Sequence, residues 1–365
     1  MTIVDLGYIQ AFGSVCNAIG ALAFGQMADT AGPKAMFMLS ILRFGYQLDS
    51  TAEMYLATVT TERERTGALM RLTVPQAAAM FIGPIIGSKI AAYTTLRTSQ
   101  FICGGALLFT LMPVLMFLLP TTHSIPRLAT ARLRPQDYWP MITKNTALKE
   151  GLILRGLVIS SYVCYEMISR NFLLRSFMKD TNDSAIVLLV MAISLLGVQF
   201  VILPIIQRRA SPRTLLQIAM TALILCYFIV SFTTSFEQVL IITAIQTGAY
   251  AVAYAESSTQ ITSAVEITDL GKATGLASTT QWIAHFILPI YASHLVDHYH
   301  YTYAFYTSTL LSTVALLYNL WIEFNIVQLI QECQPTASTT IIGTELVEEI
   351  NLRIYPPPQL IKPTS

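Results

Sequence analysis

Long apolar runs alternate with short polar breaks along this chain, and the runs have the length of membrane crossings. They cover residues 7–28, 35–58, 68–92, 98–120, 152–174, 185–206, 214–233, 238–256, 273–296 and 303–325. A helix needs roughly 20 apolar residues to cross the hydrocarbon of a bilayer, so the pattern predicts about ten spans. Every run but the second reads as a good span. The longest polar stretch, Thr121 to Glu150, separates the early runs from the late ones and holds Arg127, Arg132, Arg134, Lys144 and Lys149. Basic residues gather also at Arg63 and Arg65, and at Arg208, Arg209 and Arg213. An excess of Lys and Arg in short loops marks the cytoplasmic side. The pattern therefore divides the chain into an N-terminal helical bundle over 1–120, a basic cytoplasmic linker over 121–150 and a six-helix C-terminal bundle over 151–325. A cytoplasmic tail occupies 326–365. Its Glu345, Glu348, Glu349 and the prolines Pro356, Pro357 and Pro358 predict a largely disordered segment, too polar to bury a core.

Composition sharpens this picture. Hydrophobic residues make up 54% of the chain and charged ones 12%, against roughly 25% charged in soluble domains. These proportions imply an integral, multi-pass membrane protein; nothing distinguishes a plasma membrane from an endolysosomal one. A formal net charge of +1 gives no footprint for a polyanionic partner, so nucleic acid is not expected. Cys16, Cys103, Cys164, Cys226 and Cys333 are scattered, as packing thiols are. No His-Glu-x-x-His, nucleotide-binding glycine loop or nucleophile elbow is present, so neither an enzyme nor a cofactor is expected. The first residues run into an apolar span without the basic segment of a secretory leader.

Three stretches carry a resemblance. Gly25-Gln26-Met27-Ala28-Asp29-Thr30-Ala31-Gly32-Pro33-Lys34 has glycines that permit a tight reversal and an aspartate that favours a helix N-terminus. It resembles the loop between the second and third helices of the major facilitator superfamily, with Gly25, Asp29, Gly32 and Lys34 at the gating positions. Thr61 to Gly67, together with Gly83-Pro84-Ile85-Ile86-Gly87 further on, resembles the cytoplasmic loop and fifth-helix motif of that superfamily's drug:proton antiporter-like, organic-cation-transporter-like members. Small residues there let helices approach closely, and Pro84 frees a carbonyl. Gly271 to Ser278 is similar to the entry of the eleventh helix. The resemblance implies an all-α polytopic protein with the two-bundle major facilitator fold and an incomplete N-terminal bundle. A first helix and part of helices three and four would be absent, and a bent or re-entrant course is expected over 34–60.

Ionisable groups at helix centres are expensive and therefore functional candidates. Glu166 and Arg170 lie one turn apart, with Tyr162 a turn before Glu166. Glu166 can titrate against a cationic substrate, or form a fixed ion pair with Arg170. Glu256 can attract a cation, or cap its helix and meet interface water. Gln199, Gln246, Trp282 and His285, like Asn17, can bond or stack on a ligand, or join helices. His294 and His298 with Asp297 have a spacing compatible with zinc, but lie where polar residues mark the interface, and no metal is assigned. The resemblance implies a secondary active transporter of small organic solutes, plausibly organic cations or drugs exchanged for protons by alternating access. Its partners are then a small-molecule solute, protons and the lipid bilayer; the oligomeric state is open. The alternative is a membrane binding or scaffold protein, or an inactive shortened transporter.

Overall fold

A computed structural model describes residues 48–60, 62–95, 138–178, 181–207, 211–266 and 269–333, with scattered positions between 8 and 22 and between 98 and 113. Gly25, Asp29, Gly32 and Lys34, residues 34–47 and the tail after Cys333 lie outside the described residues, as do the side chains of Pro84 and Arg170.

The described chain is helical. Three early helices, α1 (Leu48–Val59), α2 (Glu62–Arg71) and α3 (Thr73–Tyr93), precede the short α4 (Tyr138–Lys144). The late helices are α5 (Thr146–Ser176), α6 (Thr181–Gly197, carried on by a π turn over Val198–Ile202 and a helical segment Leu203–Gln207) and α7 (Pro212–Ile229, closed by the 3-10 turn Val230–Phe232). Then come α8 (Phe236–Ser263), α9 (Leu270–His298) and α10 (Tyr301–Cys333). No strand occurs among the described residues.

Local chemistry sets the helix starts. The Asn145 side chain accepts from the Leu148 amide at 3.0 Å and donates to the Ala264 carbonyl at 2.5 Å, so α5 begins earlier than the apolar run from 152 suggests. Ser211 caps α7 ahead of Pro212, and Ser235 with Gln238 forms a capping box on α8. The π turn in α6 has a cause in Pro204, which cannot donate and whose ring crowds the carbonyl four residues back, at Phe200. Nothing in the hydrophobic pattern announces it.

Residues 61–67, read from sequence as a cytoplasmic loop, instead fall within α2 from Glu62 onward. Arg65 and Thr66 are buried in it. Arg65 donates to the Ala57 carbonyl at 3.2 Å and to Thr262 Oγ1 at 3.2 Å, which lets a charged segment stay helical against its neighbours. Helix α1 ends at Val59 with a bend at Thr60, and α2 opens at Glu62, so the described end of the 34–60 stretch does not run on into α2 as one continuous helix.

Five of the described helical stretches are long and apolar enough to cross a membrane: Thr146–Ser169, Ile186–Ile206, Pro212–Phe232, Phe236–Ser263 and Tyr301–Asn325. Their outward faces are apolar, with Phe200, Phe232, Ile241, Leu310 and Phe324 all exposed. Water would make such a surface an aggregation site, whereas lipid accepts it. This is an integral, multi-pass membrane protein. Helix α5 is central to the late bundle, packing on α8, α9 and α10, while α7 bridges α8 and α10. Tyr165, Tyr227, Phe172 and Phe305 form the aromatic part of its core. Against it stand the early helices, with α1 and α2 on α8, α1 also on α9, and α3 on α6.

Candidate functional site

The junction between early and late helices is where the buried charge collects. Arg155, on α5 and fully buried, donates to Glu53 Oε1 of α1 at 3.1 Å and to Ser258 Oγ of α8. Its guanidinium also lies 4.2 Å from the centroid of the Tyr254 ring, a cation-π placement. Two ions removed from water this completely need several partners to offset their desolvation. Here one cation receives a carboxylate, a hydroxyl and a ring face, drawn from both halves of the molecule.

A second layer lies further toward the C-terminus of α8. Thr66 Oγ1 of α2 donates to Glu256 Oε2 at 2.9 Å and lies 3.0 Å from Thr259 Oγ1. A third layer joins Arg65 to Thr262. Residues 254, 258 and 262, with 255 and 259 beside them, fall on one face of α8 by the i, i+4 rule. Small hydroxyl side chains on that face let α1 and α2 come close and give their polar groups partners.

On the other side of Arg155 the layers turn aromatic. Tyr162 of α5 stacks on Tyr250 of α8 with ring centroids 3.7 Å apart and planes 10° from parallel. Tyr250 neighbours Tyr254 at 5.9 Å, and Tyr254 donates to Gln281 Oε1 of α9 at 3.3 Å. Glu166 comes one turn after Tyr162 and is partly buried. From Thr262 to Tyr250 the ladder extends about 18 Å along α8, at 1.5 Å per residue.

The structure brings Tyr162, Glu166 and Glu256 to the α5 and α8 parts of this ladder. Glu256 does not meet interface water: it is 1% exposed, and its Oε1 accepts no hydrogen bond from a described residue. Gln246 and Gln199 are buried elsewhere. Gln246 lies beside Tyr227 in the interior of the late bundle, and Gln199 sits in the π turn of α6. Trp282 and His285 pair with each other on α9, ring centroids 5.5 Å apart. Among the described residues no atom lies within 4 Å of a Cβ placed at Gly83 or Gly87. His294 meets the Tyr8 hydroxyl at 3.1 Å, and its ring is 6.2 Å from that of His298. No metal-holding group of three His, Cys, Asp or Glu side chains occurs among the described residues.

Glu53, Arg155, Tyr250 and Tyr254 are not singled out as site residues by the sequence, and Arg65 and Thr66 are read there only as parts of a cytoplasmic loop. Arg155 carried a signal, since it stands inside the run 152–174, where an arginine is costly. Glu53 stands out in the sequence only as one of the charges, with Arg43 and Asp49, stranded in the weakest run, and only the tertiary fold places it opposite Arg155.

Comparison with known proteins agrees with this architecture. Residues 172–325 match the Major Facilitator Superfamily. No curated protein sequence matches the chain. Its fold is similar to that of the human organic anion transporter MFSD10 (TETRAN), with a TM-score of 0.73 and 13% identity over 86% of this chain and 83% of that one. It is similar also to a bacterial homologue of the iron transporter ferroportin in its outward-facing state, with a TM-score of 0.64 and 10% identity over 87% of this chain and 89% of that one. The fold is thus the all-α polytopic fold of major facilitator type.

Proposed function

We propose that this chain is a secondary active transporter that moves a small organic solute, an amphipathic organic cation, in exchange for protons. The observation that carries the reading is the buried network of Glu53, Arg155, Ser258 and Tyr254, which ties the early helices to the late ones inside an apolar, membrane-spanning fold. A contact of this kind serves a machine whose halves part and rejoin. Closed, it excludes water from a charged junction; open, it releases Arg155 and Glu53 to solvent, where both ions are stable alone.

The cation preference rests on the same ladder. Tyr162, Tyr250 and Tyr254 supply ring faces, and Glu166 and Glu256 supply carboxylates. An anion, the cargo named for MFSD10, would meet Arg155 only in competition with Glu53 and Ser258, which already engage it. Glu256 is the group to exchange a proton, because its carboxylate has a hydroxyl donor on one oxygen and none on the other among the described residues. A scaffold protein would not need a carboxylate so placed.

Reconstituted into liposomes with an acidic interior, the chain is expected to accumulate a labelled aromatic quaternary ammonium ion as protons leave. Glu256→Gln is expected to abolish accumulation while sparing counterflow of labelled against unlabelled cation, and Glu166→Gln to weaken both. Uptake that ignores the pH gradient in all three proteins, or no uptake in any, contradicts the proposal.

A further inference from the structure

The groups gathered around Arg155 have the chemistry of a cation site. A carboxylate, a hydroxyl and an aromatic face converge there, Glu53 from α1 and Ser258 and Tyr254 from positions one turn apart on α8. Glu53 and Ser258 are buried, while the Tyr254 ring is half-buried and oriented by the bond from its hydroxyl to Gln281 Oε1 of α9 at 3.3 Å. Negative charge, hydrogen-bond acceptors and a ring face together recognise an organic cation that carries N–H groups. The occupant in this structure belongs to the chain itself: it is the Arg155 guanidinium, 4.2 Å from the Tyr254 ring centroid.

That occupant fits the carboxylate imperfectly. Both of its contacts with Glu53 come from one nitrogen, Nη2, at 3.1 Å to Oε1 and 3.5 Å to Oε2, while Nη1 donates to Ser258. The Nε–H has no hydrogen-bond partner among the described residues. A guanidinium free to turn offers two parallel N–H groups, one to each carboxylate oxygen, which is the stronger and more directional arrangement. Arg155 has the tether in its favour, because a group on the same chain acts at a high effective concentration. That advantage lasts only while α1 stays against α5 and α8. When the helices part, Glu53 and Arg155 are each solvated, and a free cation can reach the carboxylate first.

We propose that Glu53, with the Tyr254 ring and the Ser258 hydroxyl, recognises planar cations that carry N–H groups, guanidinium or amidinium ions, and that Arg155 is their tethered competitor. Such a cation takes Glu53 while the junction is open and Arg155 is in water; when the cation leaves, Arg155 retakes the carboxylate and the junction closes. The inference rests on the transport reading, which supplies the open state, and it narrows the solute class.

The test reads binding to the full chain in phosphatidylcholine nanodiscs without any gradient, so that it stands apart from transport. Labelled N-methylguanidinium is the probe; N-methylurea has its shape without the charge, and tetramethylammonium has the charge without N–H groups. The parent chain is expected to bind the probe weakly and saturably. Arg155→Ala is expected to tighten binding about tenfold, the penalty of a site that is free for only about a tenth of the time, and to give a melting midpoint that rises with probe concentration. Tetramethylammonium is expected to bind that variant about tenfold more weakly than the probe, for want of hydrogen bonds to a charged partner, and N-methylurea not at all. Arg155→Lys, whose compact ammonium cannot reproduce the guanidinium's contacts, serves if the alanine variant does not fold, and is expected to tighten binding about threefold. Glu53→Leu combined with Arg155→Met, which leaves the junction neutral, is expected to bind none of the three. Equal affinity in the parent chain and the Arg155 variants overturns the proposal, as does binding that survives in the double variant. Binding by the Arg155 variants with none by the parent chain also overturns it, since Arg155 would then be a fixed partner and not a competitor. The predicted binding in a chain that moves no solute in liposomes would uphold this site and count against the transport reading alone.

Discussion

Arg155→Met is expected to destabilise the folded chain by about 3–5 kcal/mol, the cost of leaving one partner of a buried pair without its counter-ion. The loss has a direct structural source. Glu53 is 2% exposed, and the Arg155 guanidinium is its salt-bridge partner at 3.1 Å. Ser258 loses its donor and Tyr254 its cation at the same stroke. Glu53→Leu combined with Arg155→Met is expected to recover most of the stability, since apolar groups of similar volume replace a buried ion pair at little cost. Uptake should not recover with it. A junction without charge has no reason to open toward water, and a bias of about 1.4 kcal/mol toward one state is already tenfold in population. Unfolding in a denaturing detergent series, read beside uptake, checks both halves of this expectation. A double variant that transports like the parent protein would make the pair a packing device only.

Gly248→Ala is expected to cost about 1–3 kcal/mol, the usual penalty for one methyl too many in a packed core. A Cβ at Gly248 would stand 2.5 Å from Val198 Cγ2 and 3.3 Å from Ser194 Oγ. Neither neighbour yields easily. Val198 is β-branched, stiff in a helix and part of the π turn, while Ser194 is held by its bond to the Ala244 carbonyl. The expected result is a separation of α6 from α8 that also disturbs the bulge. Val198→Ala in the same chain should restore most of the loss by opening the space. The same unfolding series reads it, and a single variant as stable as the parent would mean that this crossing is loose.

How much of this was legible beforehand depends on the kind of signal. Apolar runs announce crossings because lipid demands an unbroken stretch of apolar side chains, and α5 to α10 appear where those runs lie. Helix ends outside the runs are set by single capping residues, so α5 starts at Thr146 under the control of Asn145. The π turn depends on how Pro204 is accommodated by the turn before it, which hydrophobic periodicity does not register. The site divides in the same way. Glu256 and Tyr162 are polar groups in apolar helices and stand out in one dimension. Glu53, Thr66 and Arg65 belong to α1 and α2, where charge is ordinary, and become unusual only once α8 buries them. Gln199 and Gln246 had the same one-dimensional signal as Glu256, yet are turned into the late bundle, because sequence position does not specify which face of a helix meets which neighbour.

The most direct test of the account concerns the contact between α2 and α8. Thr66 Oγ1 and Thr259 Oγ1 are 3.0 Å apart, so Thr66→Cys with Thr259→Cys, in a chain whose five native cysteines are replaced, places two thiols within disulfide reach. Oxidation is predicted to lock the junction and stop solute uptake in liposomes, and reduction to restore it. Undiminished uptake by the cross-linked protein would contradict the claim that these helices part during transport.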